Sequence, residues 1–488
     1  MNTGLDTACY RHQQNTFMSR SSPAAVYGAL VMLLALAGLD QTLLSSALPT
    51  IAAELHGQDQ VSWVFSAYLI ASTVVIPVYG KLADRLGPRP LLLVAGGLFV
   101  VGSLACAASP TMPLLVVARG LQGLGGGGLM TLTLLAVAAL FAPEERARRQ
   151  GLLGAAYGVA TMIGPLVGGV LVQHLSWRWA LALNAPLALA AATVLARARF
   201  GQAAAERKPL DLAGAGLLAA TLACLLMATR SGVAGSAEGW ALLAAAGALG
   251  LCFTHVERRA ADALIPFALF REGGFRAAAA LSACSGVALF AAVVFLPMYL
   301  QSALRLSPIE SALHLLPLML GLTVAARASS RALRAGWSPR RLAMGAALAM
   351  TAAFAALIGV FGHAAGTAWA YSLAVIPLGL GLGALFPILS VVSQRSAPPR
   401  HIGTATATPI MLRTLGGALG VSALGTLLSH GMQAATISSR AGFGLALASN
   451  LQTVFEVAMA LALVGLLAAL ALPHSLPPLV LQPAQRVV

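Results

Sequence analysis

Long apolar segments follow one another along most of this 488-residue chain. A helix needs about 20 mostly apolar residues to cross the hydrocarbon core of a bilayer. Cutting the chain at charged or Pro/Gly-rich breaks gives about fourteen such segments. They lie near residues 26–48, 61–80, 91–109, 113–138, 151–173, 180–196, 212–229, 240–256, 277–300, 311–327, 342–361, 369–392, 402–430 and 451–472. Only 9% of the residues are charged, against about 25% in a soluble domain. The sequence therefore predicts an all-α integral membrane protein.

Basic residues are concentrated in every second connection between these segments. Lys81, Arg85 and Arg89 follow the second segment, for example, whereas the opposite connections hold few basic residues. Positive charge marks the cytoplasmic side of a membrane protein, and an even number of spans returns the chain to the side where it began. We therefore expect both termini in the cytoplasm. The net charge of +15 has this topological explanation, so no nucleic-acid partner is expected.

The sequence offers no chemistry for an enzyme or a metal site. Its five cysteines form no CxxC pair. No GxxxxGK[ST] phosphate loop and no HExxH motif occurs, so hydrolysis of ATP is not predicted as a source of energy. We expect no cofactor, no metal and no catalytic residue.

A short basic connection, GKLADRLGPRP, occupies residues 80–90. Its glycines permit a tight turn, and its one acid, Asp84, can accept hydrogen bonds from an arginine or from a helix N-terminus. The stretch ARASSRALRAGWSPRR at 326–341 follows the tenth segment, where the second half of a duplicated chain would repeat the connection at 80–90. It keeps the basic residues of that connection and lacks the acid. This spacing indicates an internal duplication. The connection supplies the candidate residues of a breakable cytoplasmic latch, namely Gly80, Asp84, Arg85, Gly87 and Arg89. The alternative is a solvated turn whose charges set topology only.

Five further strings resemble the fourteen-span drug:proton antiporter branch of the major facilitator superfamily. They are LDQTLLSSALP at 39–49, RGLQGLGGGG at 119–128, GVATMIGPLVGG at 158–169, WRWALALNAP at 177–186 and RTLGGALG at 413–420. The resemblance covers nearly the whole chain in the expected order. It implies a major facilitator fold with two six-helix halves and two extra helices between them. The implied divisions are a cytoplasmic tail at 1–25, an N-terminal half at 26–200, two extra transmembrane helices at 201–260, a C-terminal half at 261–472 and a second cytoplasmic tail at 473–488.

Ionisable residues inside the predicted spans are candidates for proton coupling. Asp40 matches the first-span acid of the branch, and a carboxylate in a membrane is costly unless it is protonated, paired or hydrated. Arg119 in the fourth span is its natural partner. The alternatives are a permanent salt bridge at Asp40 and an arginine that only ties helices together. Glu456, near the outer end of the last span, is a further candidate, although an interfacial acid without a coupling role is favoured there.

Small and aromatic residues complete the candidate site. The glycines and the proline of the 158–169 string suit a tightly packed face that closes the cavity, although ordinary helix packing is the alternative. The candidate antiporter gate consists of Gly158, Gly164, Pro165, Gly168 and Gly169. The candidate substrate cavity consists of Trp63, Phe65, Tyr68, Gln122, Tyr157, Phe290, Phe295, Tyr299, Phe386 and Arg413.

The resemblance implies proton-coupled efflux of lipophilic compounds, cationic or neutral, by alternating access. The expected partners are a small-molecule substrate, protons and the lipid bilayer, and the expected state is a monomer in a bacterial inner membrane. The alternative on the same fold is a flippase or exporter of a lipid or lipid-linked substrate.

Overall fold

A computed structural model describes residues 22–56, 61–141, 143–198, 212–228, 236–260, 263, 265, 267–362, 368–398, 401–434 and 440–475. The predicted tails at 1–25 and 473–488 lie largely outside the described residues. The helices run α1 Pro23–Glu54, α2 Val61–Leu86, α3 Pro88–Ala108, α4 Met112–Leu140, α5 Pro143–His174, α6 Trp177–Ala182, α7 Asn184–Arg197, α8 Leu212–Ala228, α9 Ala237–Arg259, α10 Gly273–Ser302, α11 Pro308–Leu313, α12 Leu316–Arg334, α13 Pro339–Gly362, α14 Ala368–Ala374, α15 Ile376–Arg395, α16 Ile402–Ala434 and α17 Arg440–Leu470. A short 3₁₀ helix covers Phe267–Arg271.

Each predicted apolar segment coincides with a helix or a pair of helices. By length and hydropathy, eleven helical stretches of the described residues can cross a membrane. Three other helices coincide with predicted spans but are not among these eleven. Helices α5 and α12 carry several charged residues at one end, and α8 has only 17 residues. The all-α membrane fold is thus confirmed, whereas the count of fourteen spans stays a prediction.

Three of the predicted segments are each divided into two helices. Pro186, Pro317 and Pro377 lie in the first turn of α7, α12 and α15, directly after the break. Proline has no N–H to donate, and it fits the first turn of a helix, where that N–H would have no partner in any case. Four other prolines lie inside continuous helices, namely Pro77, Pro297, Pro387 and Pro409. Proline therefore favours a helix start at the three breaks without enforcing the division.

Helix packing repeats between the first and the last part of the chain. Helix α1 packs against α5 and α2 against α4, as α10 packs against α16 and α12 against α15. Helix α7 packs on α1 and α3 in the way that α17 packs on α10 and α13. Gly87 and Gly336, in the corresponding connections, both have a positive φ, 74° and 81°, which favours glycine. The molecule therefore consists of two similar six-helix halves, the N-half (α1–α7) and the C-half (α10–α17).

Glycines in α4 allow its neighbours to approach closely. A Cβ atom at Gly123 or Gly127 would lie 2.6 or 2.3 Å from a backbone oxygen of α2, and one at Gly125 would lie 2.4 Å from a backbone nitrogen of α3. Such contacts leave no room for a side chain and permit tight packing between membrane helices. The glycine-rich string at 119–128 thus fixes the positions of α2, α3 and α4 around the charged residues of the N-half.

The two helices between the halves form a pair on one side of the bundle. Helix α9 packs on α8, and α8 contacts α2 and α16. No residue of either helix lines the central cavity described below. Their position outside the cavity agrees with the interpretation of this segment as an insertion.

The halves meet along two symmetry-related helix pairs, α2 with α16 and α5 with α12. We call the end of the bundle that carries the connection between α2 and α3 the latch end. Helices α1, α5, α10 and α16 all start at this end, because the chain alternates direction from one span to the next. Depth in the bundle can therefore be counted along each helix at 1.5 Å per residue.

Candidate functional site

A charged cluster is fully buried within the N-half. The Asp40 carboxylate on α1 accepts a hydrogen bond from Arg119 Nη1 at 2.7 Å. Its other oxygen accepts from the amides of Gln122, at 2.8 Å, and of Asn184, at 2.7 Å. The side chains of Asp40 and Arg119 are both 0% exposed. The pairing of Asp40 with Arg119 that the sequence suggested is therefore direct, and it joins α1, α4 and α7.

Arg119 is held on several sides as well. Its Nη1 also donates to Gln122 Oε1 at 2.7 Å, and its Cζ lies 4.4 Å from the centre of the Tyr68 ring. Its Nη2 is buried without a hydrogen-bond partner in the described part of the chain. The cluster contains one positive and one negative charge, so the two compensate each other in a medium where a single charge is costly. A proton added to Asp40 would leave the Arg119 charge uncompensated.

A cavity of about 1220 Å³ of empty space, including its open mouth, lies between the two halves. Residues of α1, α4 and α5 line it from the N-half, and residues of α10, α12, α15 and α16 line it from the C-half. Most of these side chains are apolar, among them Leu134, Leu289, Met319, Leu382 and Ile410. A mainly apolar concave space with a small number of polar groups is typical of a site for a small organic molecule.

Four of the predicted cavity residues line this space, namely Tyr157, Phe290, Phe386 and Arg413. The others lie elsewhere. Tyr68 and Gln122 belong to the charged cluster, and Phe295 and Tyr299 lie in the core of the C-half.

Trp63 and Phe65 are half-buried in α2 and do not line the cavity. Phe65 packs instead against a small apolar cluster of the N-half that includes Leu44 and Trp177. The aromatic residues predicted from the sequence thus divide into cavity-lining side chains and side chains that pack within one half.

Tyr157 and Gln41 connect the cavity with the neighbourhood of Asp40. The Tyr157 hydroxyl donates to Gln41 Oε1 at 3.0 Å, and both residues line the cavity. Gln41 follows Asp40 directly in α1. The Tyr157 ring also lies against Gly38, where a Cβ atom would be 2.9 Å from a ring carbon. A change at the cavity wall can therefore reach the backbone of α1 beside Asp40.

Arg413 extends into the cavity from α16. Its guanidinium carbon lies 4.8 Å from the centre of the Phe386 ring on α15. Within the described residues it has no carboxylate partner and donates no hydrogen bond. The predicted cavity residue thus differs from Arg119, which is paired and enclosed.

The predicted latch residues lie where the two halves touch at the latch end. Asp84 Oδ1 accepts from the Gly403 backbone N–H at 2.6 Å, and Asp84 Oδ2 accepts from the backbone N–H and the hydroxyl of Thr404, both at 3.2 Å. Gly403 and Thr404 are in the first turn of α16, so Asp84 of the N-half caps a helix of the C-half. A carboxylate is favoured there by the unpaired N–H groups and by the helix dipole.

Glycines make this contact close. A Cβ atom at Gly80 would lie 2.6 Å from Ala407 Cβ and 2.9 Å from the Gly403 carbonyl oxygen. Gly87, with its positive φ, is the N-cap of α3. Arg89 acts within the N-half, because its Nε and Nη2 donate to the carbonyls of Leu195 and Ala196 at the end of α7, at 3.3 and 2.5 Å. Arg85 is half-buried in the last turn of α2.

The predicted gate glycines have different surroundings. A Cβ atom at Gly158 would meet Met319 and Leu322 of the C-half at 3.4 and 3.5 Å, which is ordinary contact. At Gly164 it would lie 2.0 Å from Thr42 Oγ1, within the N-half. Gly168 is buried in α5, and nothing lies within 4 Å of the Cβ position at Gly169. The side chain of Pro165 lies outside the described residues. Among Gly158, Gly164 and Gly169, close packing is thus found at Gly164.

Glu456 lies on the outer surface of α17, where it is exposed and accepts a hydrogen bond from Gln452 at 3.5 Å. It does not line the cavity. Helix α17 begins at Arg440, well before the predicted start of the last span, so Glu456 lies near the middle of the helix and not at its outer end. The sequence interpretation of an interfacial acid therefore placed it too close to the membrane surface.

Two polar groups of the site were not predicted. Asn184 is the third donor to Asp40, and only its place in the string at 177–186 could have indicated it. The second is a row of hydrogen-bonded side chains at the latch end of the cavity. Ser390 donates to Gln150 of α5 at 2.8 Å. Gln394 donates to Ser390 at 3.4 Å and to Thr406 of α16 at 3.2 Å. For the hydrogen-bonded side chains from Gln150 to Thr406, polar residues in apolar helices are the signal that could have revealed them.

The wider relationships of the chain agree with this architecture. Residues 30–421 match the family described as Major Facilitator Superfamily. The chain belongs to the major facilitator superfamily. The proteins of that superfamily are multi-pass membrane transporters, not enzymes.

Several known superfamily proteins are similar to this chain. An uncharacterized MFS-type transporter of Mycobacterium tuberculosis is 35% identical over 415 residues, which are 82% of this chain and 59% of that protein. The chain therefore spans less than two thirds of the length of that relative. The multidrug transporter protein MdtP of Bacillus subtilis is 29% identical over 405 residues, 82% of this chain and 74% of MdtP.

The crystal structure of the human organic anion transporter MFSD10 is similar in fold, with a TM-score of 0.62 at 20% identity over 92% of this chain and 100% of that one. An identity this low supports the fold alone. Membership of the fourteen-span antiporter branch stays a prediction.

Proposed function

We propose that this transporter exports lipophilic small molecules in exchange for protons. The observation that carries the proposal is Asp40, a fully buried carboxylate paired with Arg119 beside a mainly apolar cavity between two six-helix halves. Acids inside membrane spans are typical of proton pathways and ion-coupling sites. The similarity to a multidrug transporter of Bacillus subtilis supports export of drug-like compounds.

Coupling would follow from the charge balance of the cluster. With Asp40 ionised, three donors on α4 and α7 hold it and Arg119 is compensated. When a proton neutralises Asp40, the attraction that joins α1 to α4 is lost and the Arg119 charge must find another partner. Helix rearrangement within the N-half is the expected response, and the contact of Tyr157 with Gly38 and Gln41 would transmit it to the cavity.

The latch end would close and open once per cycle. The superfamily plan places a substrate site near the membrane midplane and exposes it to each side in turn. Three contacts join the halves at one end. Asp84 caps the first turn of α16, Gly80 packs against Gly403, and hydrogen-bonded side chains run from Gln150 to Thr406. The distribution of basic residues assigns that end to the cytoplasm. We also propose the division of the chain at 26–200, 201–260 and 261–472.

Proteoliposomes with a fluorescent lipophilic compound would test this function. With the purified transporter reconstituted and an imposed pH gradient, we expect the compound to accumulate in the compartment from which protons leave, and a protonophore to abolish the accumulation. Substrate addition without an imposed gradient should itself move protons, detected with an internal pH dye. Accumulation that survives the protonophore would contradict antiport, and movement of a fluorescent lipid without any drug transport would favour the flippase alternative.

A further inference from the structure

We propose that the central cavity binds amphiphilic monoanions, compounds with an apolar body and one carboxylate or sulfonate group, and that Arg413 recognises the anionic group. This inference rests on the proposed function, since it names the substrate class of the same cavity. It differs from the expectation of a cationic substrate, which came from the family resemblance rather than from the charges of the site.

The charge of the cavity wall has one sign. Among the side chains that line the space, Arg413 is the charged one, and none is an aspartate or a glutamate. Asp40 lies behind the wall and is compensated by Arg119. Asp84 is engaged by the first turn of α16 at the latch end. A substrate in the cavity would therefore meet a net positive charge.

The guanidinium of Arg413 is available to a ligand. The other arginines discussed above have partners: Arg119 binds Asp40 and Arg89 binds backbone carbonyls. Arg413 has the face of Phe386 against it and lies near Tyr157, and within the described residues it has neither a carboxylate partner nor a hydrogen bond. An aromatic ring leaves the edge of the guanidinium, with its N–H donors, free to bind an oxyanion.

The backbone that carries Arg413 is fixed in place. A Cβ atom at Gly286 of α10 would lie 1.9 Å from the carbonyl oxygen of Arg413, and one at Gly417 would lie 2.5 Å from the Phe290 ring. Helices α10 and α16 are therefore in direct contact at this level. The guanidinium projects from a rigid helix pair rather than from a loop, which favours a defined position for a bound anion.

Physical chemistry favours an anion over a cation at this position. A charge in a poorly hydrated apolar space gains free energy from an opposite charge and loses it from a like charge. Arginine forms two parallel hydrogen bonds with a carboxylate, which gives both affinity and orientation. The surrounding leucine, methionine and isoleucine side chains accept an apolar body, and Phe290 can pack against an aromatic one. The complementary ligand thus has one anionic end and a hydrophobic remainder.

Three probes with one hydrocarbon frame would test the charge preference. They are 4-(1-pyrenyl)butyrate, its neutral methyl ester and the corresponding quaternary trimethylammonium compound. Binding to the purified full-length transporter in a non-ionic detergent is measured by energy transfer from tryptophan to pyrene. We expect the carboxylate to bind about 10- to 100-fold more tightly than the ammonium compound, the size expected for a charge-assisted hydrogen bond.

Variants assign the preference to Arg413. In Arg413→Gln the affinity for the carboxylate should fall about 10-fold or more, while the affinity for the methyl ester changes less than about twofold. Arg413→Lys should retain part of the preference, because it keeps the charge and loses the forked geometry. Arg334→Gln removes an exposed charge from the latch end of α12 and should leave all three affinities unchanged. Retained ester binding also shows that a variant is folded.

The outcomes separate this inference from the proposed function. Three results would overturn the inference. They are equal or tighter binding of the ammonium compound, an equal loss of all three affinities in Arg413→Gln, and no binding of any probe. Binding is measured without a proton gradient. If the carboxylate is clearly preferred but transport does not depend on the gradient, proton coupling is contradicted and the anion inference stands. If the gradient drives transport of the ammonium compound in preference to the carboxylate, the anion inference is contradicted and proton coupling stands.

Discussion

Arg119 Nη1 and Asp40 Oδ2 lie 2.7 Å apart, and the side chains of both residues are completely buried. The pair is part of a larger cluster in which Gln122 and Asn184 satisfy the second oxygen of the carboxylate. Every member of the cluster belongs to the N-half. The central charge pair of this transporter is therefore a contact within one half, next to the cavity rather than in it.

Removing one member of the pair should cost more stability than removing both. Asp40→Asn leaves the Arg119 charge buried without compensation, and Arg119→Gln leaves the Asp40 charge in the same position. Breaking a buried pair from one side costs roughly 3–5 kcal/mol. We expect each single variant to unfold at a lower temperature than the double variant in thermal scans of the detergent-solubilised protein. Additive losses in the double variant would mean that the two charges do not compensate each other.

A methyl group at Gly80 should keep the latch end from closing. In Gly80→Ala the added Cβ would lie 2.6 Å from Ala407 Cβ and 2.9 Å from the Gly403 carbonyl oxygen, so the halves must separate. We expect turnover to fall about tenfold or more, since a misplacement of about 1 Å in a functional site can cost roughly 100-fold in rate. A cysteine at Ser282, which lines the cavity, should then react faster with a thiol reagent added from the latch end.

The matched control for that variant is Gly97→Ala. Gly97 lies on the exposed face of α3, and nothing is within 4 Å of its Cβ position. Turnover and cysteine reactivity should stay at wild-type values. Equal effects of the two alanines would indicate a general sensitivity of the helices to substitution and not a closing contact.

The charge of Asp84 and its hydrogen bonds can be separated by two substitutions. Asp84→Ala removes the cap from α16, which costs about 1 kcal/mol, while Asp84→Asn keeps an acceptor and loses the charge. We expect faster amide hydrogen exchange in the first turn of α16 for the alanine variant, a smaller effect for asparagine, and binding of a neutral substrate to persist in both. Unchanged amide hydrogen exchange in the alanine variant would argue against a role of Asp84 in holding the two halves together.

Apolar length and charge pattern were sufficient to predict much of this fold. Each segment long enough to cross a bilayer became a helix, because a backbone in lipid must satisfy its hydrogen bonds internally. The positive φ of Gly87 and Gly336 agrees with the duplication seen in the two basic connections. The breaks before Pro186, Pro317 and Pro377 were not predicted, because apolar periodicity alone cannot locate them and other prolines of the chain lie inside continuous helices.

The candidate site was predictable where a costly residue had to find a partner. A buried Asp40 requires compensation, and Arg119 was the nearest candidate of opposite charge in a span. The hydrogen bonds from Asn184 could not be predicted in the same way, since a neutral amide in a helix carries no such requirement. Tyr68 and Tyr299 were assigned to the cavity from residue type alone, yet side-chain direction placed them against Arg119 and within the aromatic core of the C-half.

The charge of the substrate should determine how strongly membrane potential drives export. With one proton entering per cycle at Asp40, export of a monovalent cation moves no net charge, a neutral compound moves one and a monoanion moves two. Each charge contributes about 2.3 kcal/mol per 100 mV. In vesicles clamped with potassium and valinomycin at equal pH, we expect the carboxylate probe to respond to potential about twice as steeply as its methyl ester. A carboxylate flux independent of potential would contradict this stoichiometry.

The most direct test of proton-coupled export compares Asp40→Asn with Glu456→Gln in the same vesicles. Both substitutions remove one acid from a helix, but Asp40 is enclosed beside the cavity and Glu456 is exposed on the outside of the bundle. The measurement is accumulation of substrate under an imposed pH gradient, normalised to the protein that still binds a neutral probe. We expect Asp40→Asn to lose accumulation against the concentration gradient and Glu456→Gln to retain it. Full accumulation by Asp40→Asn would contradict proton coupling at Asp40.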